Sequence, residues 1–331
     1  MDLEPSIDAP ASGTPPTATG AARSGMHVAV AIVGFRNPDD IVQCLAALER
    51  STHANFEVVI CENGGPAAYA ALTAAIPAVL PGGQPVRAIL ASGNLGYAGG
   101  VNVCLAAAPD ADAWWVLNPD TCPEPDALRA LTDRLARGDC EAVGCPVHLQ
   151  SGKVQSYGGH WSGWLARPVS IGHGGPQDAP VDVAAIERGQ NYLNGASMLV
   201  GRRFLETVGL MREDYFLYCE EVEWCLRALA RGMRLGFAPD AIVLHAQGTT
   251  TGAGGHLAGR SRLSVYLGER NKILTTRDCY PGLLPVAALA ALVAHLRRFG
   301  PAGAWAQLRY GLEGWWDGLM NRRGVPPWVG A

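Results

Sequence analysis

Three stretches of this 331-residue chain put carboxylates or an imidazole where chemistry could use them. The first is Asn118-Pro119-Asp120, which ends the uncharged run Trp114-Trp115-Val116-Leu117. That run reads as a buried strand cut off by a proline. A carboxylate just past the C-terminal end of a strand lies at the sheet edge where open α/β folds build their ligand sites. There Asp120 could hold a divalent cation against a diphosphate. Asn-Pro-Asp is also ordinary turn chemistry, and the tripeptide by itself favours that plainer reading. The second stretch is Glu220, Glu221 and Glu223, at a helix start behind Tyr215-Phe216-Leu217-Tyr218. A lone glutamate in a first helical turn would only complement the helix dipole. Three of them behind an apolar lead-in should be partly buried, and like charges in a half-buried site raise one another's pKa, which suits a general base. Successive helical side chains diverge by about 100°, so Glu221 can face a site while Glu220 and Glu223 brace it or bind substrate. The third is His245, at the end of the run Ala241 to Leu244. A lone histidine is ordinarily a core or surface residue, but an Asp and a His on strand ends of one sheet could share a metal.

A sheet is needed to bring these groups together, and the chain supplies one. His27 to Val33 is a continuous apolar, β-branched run of the kind found in central parallel strands. Gly34-Phe35-Arg36-Asn37-Pro38 breaks it, and Asp39 or Asp40 opens a helix whose Ile41, Leu45 and Leu48 share one face. Phe56 to Cys61 is a second strand, ending in Glu62-Asn63-Gly64-Gly65. Strand, helix, strand in so short a span is a βαβ unit with a right-handed connection. A helix over 66–80 and a strand over 86–90 lead into the glycine-dense Ser92 to Asn102, ahead of a helix from Val101 to Ala108. Glycines there either admit a ligand's phosphates to the backbone or only pack a helix on the sheet. The stretch is no P-loop, since no Gly-Lys-Ser/Thr comes after it. Thr121 to Pro125 reads as a turn, with Asp126 as N-cap of the next helix.

Further on come a strand over 141–146, an irregular Gly/His/Trp-rich excursion over 150–190, a strand over 193–200 and a short helix from Arg202 to Val208. After the Glu220–Glu223 helix come strands over 234–238 and 241–245, then a Gly/Thr-rich loop over 247–259, read as mobile. A basic helix spans Ser261 to Thr276, and Pro281 to Leu296 is 16 residues without a charge. That last stretch is short for a membrane span. It reads either as a buried helix or as a helix lying on a membrane surface, with Arg297, Arg298, Trp305, Trp315, Trp316, Arg322 and Arg323 close by.

Composition narrows the field. Hydrophobic residues make up 48% and charged residues 17%, enough for a sizeable core. A net charge of −4 indicates no general affinity for nucleic acid. Nine cysteines with no Cys-x-x-Cys pair suggest free thiols in a reducing compartment and no structural zinc. Residues 1–25 lack an apolar core and are expected to be a disordered tail, not a signal peptide.

The ordered set of Gly34-Phe35-Arg36-Asn37, Glu62-Asn63-Gly64, Asn94 to Asn102, Leu117 to Thr121, Asn194 to Val200, Tyr215 to Glu223 and His245 resembles the family 2 glycosyltransferases of GT-A fold, in their bacterial rhamnosyltransferase-like branch. The resemblance covers about residues 26–275. It implies that Asn118-Pro119-Asp120 stands at the family's Asp-x-Asp metal motif, with Asp120 carrying most of the contact to Mg²⁺ or Mn²⁺ and His245 completing the site. Glu221 matches the catalytic base and Glu62 the acidic residue that reads the nucleotide base; both are usually Asp in the family. Gly34 stands where Thr or Ser is common. The remaining substrate-binding candidates are Arg36, Asn94, Gly96, Gly99, Asn102, Asn118, Gly195, Glu220 and Glu223.

The expected fold is α/β, a Rossmann-like GT-A sheet with flanking helices. A nucleotide-sugar half (26–125) runs into an acceptor half (126–277), and a helical tail (278–331) comes last. The expected activity is inverting transfer of a sugar, rhamnose among the candidates, from a nucleoside-diphosphate sugar to a hydroxyl of a cell-surface glycan or lipid-linked saccharide. The enzyme would be cytoplasmic, with peripheral membrane contact through the tail. The alternative is a non-catalytic nucleotide-sugar-binding or scaffolding protein of the same fold. A dinucleotide-binding oxidoreductase would need its glycine fingerprint where Gly34-Phe35-Arg36-Asn37 stands.

Overall fold

The computed structural model describes residues 25–246 and 256–329. The expected N-terminal tail lies outside the described residues but for Gly25, as does most of the glycine-rich loop expected after His245. In chain order the elements are β1 (Val28–Gly34), α1 (Pro38–Leu48), β2 (Phe56–Glu62), α2 (Pro66–Ala75), β3 (Val86–Leu90), α3 (Gly96–Ala107), β4 (Ala113–Leu117), β5 (Thr121–Pro123) and α4 (Ala127–Leu135). Next come β6 (Ala142–Gly144), β7 (Val147–Leu149), β8 (Val154–Ser156), β9 (Gly159–Ser162), β10 (Arg167–Ser170), α5 (Val183–Gly189), β11 (Ser197–Gly201), α6 (Arg202–Val208) and α7 (Glu220–Leu229). The chain closes with β12 (Leu235–Phe237), β13 (Val243–His245), α8 (Arg262–Cys279), α9 (Leu284–Phe299) and α10 (Trp305–Leu319).

Seven strands form one sheet in the order β12-β6-β11-β4-β1-β2-β3. Its pairs are parallel except where β11 runs antiparallel to β4 and β6. Every residue of β1 is buried, as a strand covered on both faces must be. Val28, Val30 and Ile32 pack on one side with Ile41 and Leu45 of α1; Ala29, Ala31 and Val33 pack on the other with Ala98 and Val101 of α3. The two tryptophans of β4 split the same way, and each satisfies its indole N–H: Trp114 donates to the Ala108 carbonyl at 3.0 Å, Trp115 to Ser197 Oγ at 2.9 Å.

Several local expectations are corrected. The glycine-dense stretch is no loop ahead of a helix: α3 begins at Gly96, and its glycines let the first turn sit close to neighbours. A Cβ on Gly100 would stand 2.6 Å from Val33 Cγ1. Residues 121–123 form β5 rather than a plain turn, because β13 offers it a partner. Asp126 makes no capping bond; its carboxylate accepts from Thr52 Oγ1 and Arg129 Nη2 instead. Residues 193–196 precede β11, which starts at Ser197. All nine cysteines are free thiols.

The C-terminal helices pack on the body and on one another. Helix α8 runs unbroken past residue 277. Gly314 and Gly318 of α10 allow close approach to α8; a Cβ on Gly314 would stand 2.1 Å from the Tyr266 carbonyl oxygen. Asp278 at the end of α8 holds Arg212 and Arg323.

Candidate active site

Asp120 lies just past β4 and His245 ends β13. They meet because β5 pairs antiparallel with β13, setting His245 opposite Thr121. The pair therefore sits where the large sheet gives way to a second, four-stranded sheet, β5-β13-β7-β8, and not on strand ends of one sheet. His245 Nε2 stands 3.1 Å from Asp120 Oδ1, and both side chains are largely buried. On its other side, Nδ1 lies 2.8 Å from the Gln155 amide oxygen. An Nδ1–H donated to that oxygen leaves the Nε2 lone pair facing a carboxylate oxygen. Two acceptors at that separation need a proton or a cation between them; the carboxylate suits Mg²⁺ or Mn²⁺, and the imidazole favours the softer Mn²⁺ of the two. Among the described residues no three His, Cys, Asp or Glu side chains cluster as a fuller ligand set. Asn118 is turned away from a ligand role. Its Oδ1 accepts from the Tyr97 hydroxyl at 2.9 Å, and its Nδ2 lies 3.4 Å from His245 Nε2.

Glu220 and Glu221 open α7 and differ in exposure. Glu220 is buried, with an Oε2 that has no hydrogen-bond partner, whereas Glu221 is half-buried. Burial, and then the charge of Glu221, pushes the Glu220 carboxyl well up from its ordinary value. Burial likewise raises Glu221, while backbone N–H groups at the helix start pull the other way. Glu223 is spent elsewhere, in a two-toothed ion pair with Arg227 one turn on, at 2.8 and 2.9 Å.

Tyr97 and Gly195 join the two groups of acids. The Tyr97 hydroxyl lies 2.9 Å from Asn118 Oδ1 and 2.8 Å from the Gly195 carbonyl. Burial and then the charges of Glu220, Glu221 and Asp120 hold its phenol well above the ordinary tyrosine range. A Cβ on Gly195 would stand 3.3 Å from Glu221 Cγ, so the small residue is where the glutamate side chain passes.

The loop into α7 is strained. Phe216 (φ 66°, ψ −57°) is the centre of a γ-turn closed by Leu217 N–H to the Tyr215 carbonyl at 2.9 Å. Tyr218 (φ 74°) and Cys219 (φ 67°, ψ 0°) are left-handed. Non-glycine residues so placed cost on the order of 1–3 kcal/mol each. The glycine at 96 belongs to the same construction: at φ +72°, its Cβ would stand 2.1 Å from the Phe216 carbonyl oxygen, and that oxygen accepts from Tyr97 N–H.

Glu62, at the end of β2, lies directly across from Gly34 in the parallel register. Its Oε1 accepts from Gly64 N–H at 2.6 Å and Arg36 N–H at 3.1 Å; its Oε2 is buried and unpartnered. A Cβ on Gly34 would stand 2.6 Å from that Oε2, so the longer acid at 62 and the missing side chain at 34 fit each other. Arg36 is exposed and left-handed (φ 58°), with Nε on the Gly64 carbonyl. Asn94 is exposed and accepts from Gly96 N–H. Asn102 and Gly99 point to packing: Asn102 is buried and bonded to both backbone groups of Met211 and to Glu213, and Gly99 makes room for Leu95.

Tyr97, Gln155 and Asn271 enter the site without having been singled out from sequence. Tyr97 could have been suspected from its place between Gly96 and the Gly99-Gly100 pair. Gln155 and Asn271 carry no local signal, and only the fold brings them in.

The model of the family described as "Glycosyltransferase like family 2" matches residues 25–262. The chain is 26% identical over 255 residues to an N-acetylglucosaminyl-diphospho-decaprenol L-rhamnosyltransferase of Mycobacterium tuberculosis, covering 69% of this chain and 79% of that one. It is 24% identical over 202 residues to the low-salt glycan biosynthesis hexosyltransferase Agl10 of Haloferax volcanii, covering 59% and 61%. Among solved structures it is similar to the mannosyltransferase PcManGT of Pyrobaculum calidifontis in complex with GDP-Man and Mn²⁺. The TM-score is 0.54 at 16% identity, over 90% of this chain and 88% of that one, a likeness of fold. The chain belongs to glycosyltransferase family 2, has the GT-A fold, and is a glycosyltransferase.

Proposed function

We propose that this family member transfers a sugar, with inversion, from a nucleoside-diphosphate sugar to a hydroxyl of a lipid-linked saccharide or cell-surface glycan. The observation that carries the reading is the bridge through Asn118, Tyr97 and Gly195, which runs from His245 of the Asp120–His245 pair to the side chain of Glu221. Asp120 and His245 would hold Mg²⁺ or Mn²⁺. Such a cation neutralises charge on a departing diphosphate. Glu221 is the half-exposed member of the acid pair and takes the acceptor's proton; its raised pKa brings its basicity nearer to that of the working solution. Glu220, buried behind it, is the member of the pair whose proton the charge of Glu221 helps to retain. Glu62, with Gly34 and Arg36, forms the nucleotide end, and Asn94 and Gly96 its flank. Asn102, Gly99, Asn118 and Glu223 act by holding the frame. Residues 26–125 would then serve the donor and 126–277 the acceptor. Rhamnose as the sugar and a lipid diphosphate as the acceptor carrier are supported by the mycobacterial relative's name.

Residues 278–331 would bring the enzyme to the inner face of a membrane. The outer face of α9 shows Val286, Leu289, Val293 and Leu296, that of α10 shows Trp305 and Trp316, and the exposed Met320 comes just after it. Residues 281–331 hold five arginines and two carboxylates, a local excess of positive charge in a chain of net charge −4. Apolar and tryptophan faces flanked by arginine suit an anionic bilayer surface. Vesicle co-sedimentation reads this out: binding that needs anionic lipid supports it, and protein left wholly in the supernatant at low salt removes it.

Thermal unfolding with a panel of nucleotide-sugars, with and without Mn²⁺, tests the donor site. At about 100 times its dissociation constant a ligand adds roughly 2.7 kcal/mol. A metal-dependent shift with one nucleotide, lost in Asp120→Ala, is the expected result; no shift with any of them contradicts the reading.

A further inference from the structure

The loop that aims Glu221 does not hold itself. Its γ-turn at Phe216 and the left-handed Tyr218 and Cys219 run against backbone preference, and α7 has no side-chain cap at its start. What holds it comes from α8, more than 50 residues on. Asn271, fully buried, sets its Nδ2 at 2.9 Å from the Tyr215 carbonyl, 2.7 Å from that of Leu217 and 2.8 Å from that of Tyr218. Its two amide protons are shared among the three. Arg270 locks the amide the right way round: its Nε donates to Asn271 Oδ1 at 2.9 Å, and its Nη2 adds a second bond to the Tyr215 carbonyl. Tyr97 N–H takes the Phe216 carbonyl. Every carbonyl from 215 to 218 is thereby captured from outside the loop, three of the four by one side chain.

We propose that Asn271 is a positioning residue for the transfer reaction: by holding the carbonyls of Tyr215, Leu217 and Tyr218 it keeps the loop in its left-handed path and so fixes the direction in which Glu221 leaves the start of α7. It touches neither substrate nor reacting atoms. Without it, Tyr218 and Cys219 relax toward negative φ, α7 starts along a different path, and the carboxylate swings away from the acceptor hydroxyl. The donor end's Gly34, Glu62 and Asp120 are carried by β1, β2 and the end of β4, and Asn271 bonds to none of them. The proposal rests on Glu221 being the base.

The test compares Asn271→Leu, which keeps the branched outline without donors, with Asn271→Asp, which keeps the shape but puts an acceptor where the donor was. Misplacing a reacting group by about an ångström can cost about 10²-fold in rate, so kcat should fall by about that factor in both. The donor KM and the Mn²⁺-dependent thermal shift should hold. Adding Cys219→Gly to Asn271→Leu should restore part of kcat, because glycine adopts the left-handed path without being forced. Wild-type kcat in either folded variant overturns the clamp. So does a fall in kcat matched by loss of donor binding and untouched by Cys219→Gly, which marks a merely structural residue. Should Asn271→Leu not fold, Asn271→Asp and its Cys219→Gly double variant decide by the same readouts. Glu221→Gln measured alongside separates the two claims: turnover retained there sinks the base assignment, whereas an inactive Glu221→Gln beside unimpaired Asn271 variants sinks the clamp.

Discussion

The two ends of the site are built in opposite ways. The Asp120–His245 end is strand geometry: a β4 end, a short β5–β13 ladder, and no left-handed residue from 117 to 123 or from 243 to 245. The Glu221 end is a γ-turn and two left-handed residues, held by Asn271, Arg270 and the start of α3. Ligand charge at the first end can be met by groups that the sheet delivers anyway. A base must stand at one angle to the acceptor, and here a helix start is forced onto a path it would not choose. Strain of this kind persists only where the surroundings over-determine it.

The contrast can be broken by comparing stability with activity. Asp120→Ala should abolish turnover and the Mn²⁺-dependent donor shift while changing fold stability by no more than about 1 kcal/mol, since its backbone is relaxed. Gly96→Ala should do the reverse in emphasis. A methyl group 2.1 Å from the Phe216 carbonyl, at φ +72°, must push the loop, costing about 1–3 kcal/mol and lowering kcat. Denaturant unfolding beside steady-state kinetics reads both; equal stability losses would erase the distinction.

Two smaller effects concern protons. As the proposed base, Glu221 would have to be ionised to act, and burial raises its pKa, so kcat should fall on acidification with a midpoint above the ordinary carboxylate range. A pH–rate profile flat down to pH 5 would count against it. Glu220 is raised further, so the folded state binds its proton more tightly than the unfolded chain does. The penalty for its charge is therefore absent below the unfolded pKa, grows as pH rises toward the folded pKa, and is constant above it. Glu220→Gln should stabilise the protein by about 1 kcal/mol at neutral pH and by nothing near pH 3. Melting temperatures of the two proteins across that range check the sign.

The strand ends were the legible part. Val28 to Gly34 and Ala113 to Leu117 announce buried strands by composition, and residues just past the C-terminal ends of such strands lie at a sheet edge. Asp120 and Glu62 could be placed from that alone. Where the reading missed, a partner far along the chain decided. Thr121 to Pro123 looks like a turn until β13 offers a ladder. Gly96 to Gly100 looks like a loop until Val33 and the Phe216 carbonyl are seen pressed against it. Glu223 looks like one of three equivalent acids until Arg227 claims it. The left-handed path of 216–219 has no sequence signature, because none of its residues is glycine or asparagine.

The proposed function stands or falls on Glu221 removing the acceptor's proton at a donor site held separately by Asp120. The decisive measurement is the turnover of Glu221→Gln, with its Mn²⁺-dependent donor shift recorded on the same preparation. General-base removal costs roughly 10²–10⁴-fold, so kcat should fall by about that much with the donor shift unchanged. A Glu221→Gln protein that still turns over at most of the wild-type rate would contradict the assignment.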